Sequence, residues 1–337
     1  MVNTTLVIGD LHFTESPLGI LPSQVSCIKK IIESAQEVDD IIFLGDLMMH
    51  RKPSPYVLLA LKEVMDSIPS SKKVYILRGN HDSANKSDDG QTALSLLESE
   101  SVKVITQVWV DDNNKRVFIP HYEDDDRLRK FLLDVPKGYT VFGHFGYNGV
   151  LDSAGDSDFG LVVEDFKNPT ILGHIHKESS NGMITILGTP YSTNYGEARK
   201  DCYYGILTEG TKLSKIPITW GPRHLVVDYD DVETNLDWLN SQGQWYTLLR
   251  ITLNTIDEDQ DSIAKLINML DVARVEIKYK ALLNNKEEFT PNSENLVTQI
   301  TDELIEEYIN SSNTTINKAT LLEGLKIIHE NQQNRNN

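Results

Sequence analysis

Val74-Tyr75-Ile76-Leu77-Arg78-Gly79-Asn80-His81-Asp82 is the stretch that orders the rest of the chain. Its first four residues form a short apolar run rich in β-branched and aromatic side chains, the signature of a buried strand. Gly79 permits a sharp turn and a close backbone approach to a ligand. An amide, an imidazole and a carboxylate then follow in a row. Three polar side chains thus stand at the carboxyl end of a strand, where open α/β sheets place their binding crevices. Taken alone, 78–82 reads best as a polar turn between two elements.

Outward from this stretch the same grammar recurs. An apolar run at 4–8 is closed by Gly9-Asp10-Leu11-His12, and one at 40–44 by Gly45-Asp46. The run at 139–142 is closed by Gly143-His144, and the one at 170–172 by Gly173-His174-Ile175-His176. Between the early runs, 24–35 has helical spacing, with Val25, Ile28, Ile31 and Ile32 on one face. A second helix is expected from about Ser54, with Pro55 at an acceptable first-turn position, and a third over 92–98. Strands alternating with helices at this spacing predict βαβ units and a parallel sheet. Short strands are expected at 102–105, 108–110, 117–119, 183–187, 203–207 and 213–218, a helix at 124–133 and a polar loop over 148–160.

The 337 residues suffice for a sizeable core and more than one domain. No apolar run approaches a membrane span, so no membrane association is expected. Cys27 and Cys202 are isolated and fit a reducing, cytoplasmic setting. The net charge of −18 argues against unassisted electrostatic binding to nucleic acid. The acidity is uneven: residues 1–220 carry 22 basic and 30 acidic side chains, and 221–337 carry 10 and 20. A DNA-handling role would therefore need metal ions or a basic partner to supply positive potential.

Asp10, His12, Asp46, Asn80, His144, His174 and His176 are too many ligands for one tetrahedral ion. They fit two divalent ions sharing a carboxylate, roughly 3.5–4 Å apart, the arrangement suited to in-line displacement at phosphorus. The single residue between Asp10 and His12, and between His174 and His176, puts each pair on one face of an extended chain. The order GD-x-H, GD, GNHD, GH, GH-x-H resembles the calcineurin-like metallophosphoesterase superfamily over roughly residues 4–218. The resemblance implies an α/β fold with a β-sandwich flanked by helices. It also implies one metal on Asp10, His12, Asp46 and His176, and a second on Asp46, Asn80, His144 and His174. His81 is then a catalytic residue beside the phosphate, and Asp82 is expected to hold it.

Within the superfamily, GNHD, the GDL…KPSP run at 45–55 and Gly188-Thr189-Pro190-Tyr191-Ser192 with Asn194-Tyr195-Gly196-Glu197 resemble the SbcD-type DNA repair nucleases. That likeness implies a manganese-dependent DNA exonuclease/endonuclease that works with an SMC-like, SbcC-type ATPase, and a homodimer. The candidate dimer helices are 24–35 and 54–67. It further implies a nuclease domain at 1–220, a small α/β capping domain at 221–290, a helical partner-binding segment at 291–330 and a disordered tail at 331–337. His50 and Arg51 are candidate substrate contacts, although relatives place an aromatic residue and then a His or Asp soon after the second GD. The alternative is a stand-alone phosphodiesterase acting on a nucleotide or another small phosphoester.

Overall fold

The computed structural model describes residues 3–152, 155–156, 159–198, 200–254 and 260–280. The expected linker, helical segment and tail beyond residue 280 lie outside the described residues. Residues 1–280 form one compact unit.

Two six-stranded sheets make the body. The first holds β1 (Thr5–Ile8), β2 (Asp40–Phe43), β3 (Lys73–Leu77), β4 (Val102–Ile105), β13 (Tyr203–Thr208) and β14 (Lys212–Pro217), in the order β14-β13-β1-β2-β3-β4. The second holds β5 (Trp109–Asp111), β6 (Arg116–Ile119), β7 (Thr140–His144), β10 (Thr170–Gly173), β11 (Ser179–Ser180) and β12 (Ile184–Ile186), in the order β11-β12-β10-β7-β6-β5. The strands β1 to β4 run parallel, as do β6, β7, β10 and β12, and antiparallel strands close every edge except that of β4. A short hairpin, β8 (Leu151–Asp152) and β9 (Gly155–Asp156), occupies the expected 148–160 loop.

Alternation along the strands explains the layering. Val7, Ile42, Leu44 and Leu77 face Phe118, Phe142 and Ile171 between the sheets. Leu6, Ile8, Ile41, Phe43, Val74 and Ile76 point the other way, onto α1 (Ile20–Ser34) and α2 (Pro55–Asp66). On the far side Val117, Ile119 and Val141 pack with Leu128 and Leu132 of α3 (Asp125–Leu133). Central strands covered on both faces need unbroken apolar runs, which is why they read so clearly in the sequence. Each buried Ile or Leu contributes about 1.5–3 kcal/mol. Ser54 caps α2 through Val57 N–H at 3.3 Å, with Pro55 in the first turn.

Two helices differ from expectation. The first starts at Ile20 rather than residue 24, because Pro22 is tolerated in a first turn and Leu21 joins the core. The segment expected to be helical at 92–98 is only a short 3₁₀ turn, Ala93–Leu97. It buries Leu94 alone, too little apolar contact to hold a longer helix.

A third, three-stranded parallel sheet follows Trp220: β15 (Arg223–Asp228), β16 (Thr247–Leu253) and β17 (Arg274–Tyr279). With α4 (Tyr229–Val232), α5 (Leu236–Ser241) and α6 (Gln260–Asn268) it buries its own cluster around Val232, Leu239, Leu249 and Ile251. Among the described residues no helix is long and apolar enough to cross a membrane.

Candidate metal centre

Parallel strands put their carboxyl ends on one side, and five of those ends converge. β1 delivers Asp10 and His12, β2 Asp46, β3 Asn80 and His81, β7 His144, and β10 His174 and His176. Ligand atoms of His12, Asp46 and His81 lie within 4.8 Å of one another, as do those of Asp46, His144 and His174. Asp46 belongs to both groups. Its Oδ2 is 3.7 Å from His12 Nε2, and its Oδ1 is 3.4 Å from His144 Nε2. Asn80 Oδ1 lies 3.1 Å from His144 Nε2 and 3.0 Å from His174 Nδ1. His176 joins the other side, with its Nε2 2.9 Å from His12 Nε2. The Asp10 carboxylate accepts the His174 N–H at 3.0 Å and lies 3.4 Å from His144 Nδ1.

The backbone is bent to bring these groups together. His12, Asp46 and His174 adopt left-handed conformations, with φ of 47°, 49° and 78°. The two-residue spacing therefore does not act through an extended chain, although Leu11 and Ile175 pack behind as expected, both fully buried. Gly79 is required by contact, because a Cβ there would stand 2.0 Å from Asp46 Oδ1. Gly45 is required twice over: its φ is +105°, and a Cβ would meet His144 Nδ1 at 2.4 Å.

Electrostatics separates these groups by role. Burial alone would raise the Asp46 carboxyl, but His144, His12 and His81 hold it well below the usual range, so it is ionised. Burial, reinforced by the Asp46 charge, raises Asp10. Burial lowers His12 and His174 to about 3, so both rings are neutral with lone pairs to donate. His144 goes the other way: burial pushes it down, but Asp46 and Asp10 raise it to about 9.

This donor set suits divalent cations. Glu197 Oε1 accepts from His176 Nδ1 at 2.6 Å, which leaves His176 Nε2 as a lone pair aimed at His12 Nε2. Two imidazole nitrogens and a carboxylate oxygen facing one point are complementary to a cation. On the other side Asn80 Oδ1, Asp46 Oδ1 and two imidazoles do the same. Asp46 is the shared member.

One expectation is corrected. Asp82 does not hold His81. The chain turns at 80–82, which folds the Asp82 carboxylate back to accept Gly79 N–H at 2.9 Å and Met48 N–H at 3.1 Å. The His81 Nδ1–H instead donates to the Met49 carbonyl at 2.6 Å. Asp82 therefore braces the turn that aims Asn80 and His81. His50 is exposed and belongs to neither ligand group. Arg51 donates to Asn85 O at 2.8 Å, in the loop after His81, and lies 3.6 Å from Glu123 beyond β6.

Two residues escaped the sequence reading. His121 follows β6 after Pro120, with its ring centroid 5.8 Å from that of His174 and 6.2 Å from that of His144. Burial lowers it to about 3. No glycine precedes it, so the strand-glycine-ligand pattern passed it by. Glu197 was visible only as part of a motif; its contact with His176 joins two segments that no local pattern connects. Arg78 is fully buried, donating to Ser83 Oγ at 3.0 Å and to the His121 carbonyl, and so ties the β3 end to the β6 end.

The family model of calcineurin-like phosphoesterases matches residues 4–178, just over half of the chain and all of the metal-site strand ends. No curated protein matches the sequence. One solved structure similar to this chain is described as a novel archaeal phosphodiesterase. It is 15% identical, with a TM-score of 0.34, and the match covers 64% of this chain and 99% of that one.

Proposed function

The chain belongs to the calcineurin-like phosphoesterase family, and we propose that it is a manganese-dependent, two-metal phosphodiesterase that cleaves DNA. Membership makes it a phosphoester hydrolase. The observation that carries the two-metal reading is Asp46, whose oxygens diverge toward His12 at 3.7 Å and His144 at 3.4 Å. Two bound ions would supply charge neutralisation and an activated water for in-line attack. Asp10, His12, Asp46 and His176 would hold one, and Asp46, Asn80, His144 and His174 the other.

The residues around them do the rest. His81 is turned by the Met49 carbonyl so that its Nε2 is free to assist the leaving oxygen. Asp82 keeps the turn that positions it. DNA as substrate is supported by the likeness of the GNHD, GDL…KPSP and GTPYS…NYGE segments to SbcD-type nucleases. A net charge of −18 fits a subunit that borrows DNA affinity from a partner. We assign that role to an SMC-like ATPase bound through 291–330, with the β15–β17 module as the cap and the cytoplasm as the setting. A homodimer would form through α1 and α2, where an open groove of about 670 Å³ is lined by Leu21, Val25, Tyr56 and Leu59.

The same acidity favours a second reading, a stand-alone enzyme for a nucleotide or other small phosphoester. The test is hydrolysis of bis-p-nitrophenyl phosphate and of linear duplex DNA with Mn²⁺, with and without the ATPase and ATP. Cleavage of duplex DNA is expected. Hydrolysis of the small diester with DNA left intact under every condition would select the second reading.

A further inference from the structure

The segment between β12 and β13 forms part of the metal centre, and the three-stranded module grips that segment. Glu197 Oε1 meets His176 Nδ1 at 2.6 Å. The carboxylate is itself fixed from every side. Thr193 Oγ1 and Asn194 Nδ2 donate to Oε1 at 2.8 and 3.0 Å. Thr193 N–H and Lys200 Nζ donate to Oε2 at 2.8 and 2.5 Å. Glu197 is buried, so these bonds are not traded for water.

Two residues earlier, Tyr195 turns outward from the same short turn and lies against the module. The Arg250 guanidinium of β16 sits 3.9 Å from its ring centre, and the His224 ring of β15 meets it edge-on at 4.8 Å. Glu276 of β17 holds Arg250 at 2.9 Å, and Ser192 Oγ accepts His224 N–H at 2.7 Å. A continuous path therefore runs from Glu276 through Arg250, Tyr195 and Glu197 to His176.

We propose that Glu197 is a positioning residue for the metal on the Asp10–His12–Asp46–His176 side, and that the β15–β17 module sets its firmness by clamping Tyr195. The carboxylate fixes the His176 tautomer with Nε2 facing inward and raises the basicity of that nitrogen. On the other side His144 Nδ1 donates to the Leu44 carbonyl at 2.7 Å, with Asp10 Oδ1 3.4 Å away, and His174 Nδ1 lies 3.0 Å from Asn80 Oδ1; none of these partners belongs to the β15–β17 module. The two ions thus differ in what supports them. This rests on the two-metal reading.

The test is titration of the full chain with Mn²⁺ by calorimetry, with bound ions counted by electron paramagnetic resonance. Glu197→Ala should weaken one of the two binding steps by about 10–100-fold and leave the other unchanged. Glu197→Gln, whose amide oxygen can still accept from His176, should recover most of that loss. Arg250→Ala, which touches no ligand, should weaken the same step by about two- to fivefold. Unchanged binding in Glu197→Ala overturns the positioning role. Equal weakening of both steps, with a lowered Tm, overturns it as well, since it marks a general structural effect. Arg250→Ala behaving as wild type removes the module from the path. A wild-type chain that binds fewer than two ions would sink the two-metal reading instead.

Discussion

The two ends of the β-sandwich both bury charge between the sheets, and they resolve it differently. At the amino ends, Arg116 of β6 donates to Asp40 of β2 at 2.8 Å and to Thr5 of β1 at 2.6 Å. Asn3 adds a bond to Asp40 at 3.0 Å. That end is neutral within the chain, and it staples one sheet to the other. At the carboxyl ends, Asp10 and Asp46 face a ring of imidazoles, three of them, His12, His121 and His174, held neutral by burial. That end is complete only with cations. The contrast separates a charge pair that serves the fold from a charge cluster that serves chemistry.

Asp46→Asn should lower hydrolysis of bis-p-nitrophenyl phosphate by at least about a thousandfold, since it removes the shared anionic ligand. Thermal unfolding should show a Tm as high as wild type or higher. A large loss of Tm would mean that the carboxyl end, too, holds the sheets together. Arg116→Ala is the mirror experiment. It strands Asp40 as an unpaired buried charge and should cost about 3–5 kcal/mol in denaturant unfolding. Mn²⁺ stoichiometry, measured well below the melting transition, should stay at the wild-type value.

His81→Asn sharpens the comparison inside the site. Turnover should fall by about 10²–10⁴-fold with both Mn²⁺ ions retained, as expected for a proton-transfer group. Loss of an ion in calorimetry would make His81 a ligand instead. The smallest effect concerns pH. His144 is raised from an ordinary 6.5 to about 9 by its carboxylate neighbours. Its contribution to the metal-free fold is therefore full below pH 6.5 and lost as pH rises through 9. Chelator-treated protein should lose stability across that window. By the same logic Mn²⁺ must displace the His144 proton, so binding should tighten with rising pH and release a proton, measurable by calorimetry in buffers of different ionisation enthalpy.

Much of this was legible in the chain because the central strands are short, apolar and punctuated. Runs such as Leu6-Val7-Ile8 and Ile41-Ile42-Phe43 are buried on both faces, and a glycine marks where each ends. What the sequence hid depends on distance or on turn geometry. Arg116 and Asp40 are 76 residues apart, and nothing local pairs them. His121 lacks a glycine before it. The reversal at 80–82, which sends Asp82 inward, is a property of the folded turn rather than of residue order. Glu197 belongs to a recognisable motif, but its partner His176 lies 21 residues away.

The left-handed backbone at His12, Asp46 and His174 has a consequence for how this centre is dissected. Histidine and aspartate are among the few residues with side chains that settle in that region, whereas alanine is penalised there. An alanine scan would thus fold two injuries into one number, a missing ligand and a strained main chain. Glycine at these three positions removes the ligand while relieving the backbone, so the difference between the glycine and alanine variants, once the larger unfolded-state entropy of glycine is subtracted, gives the conformational component.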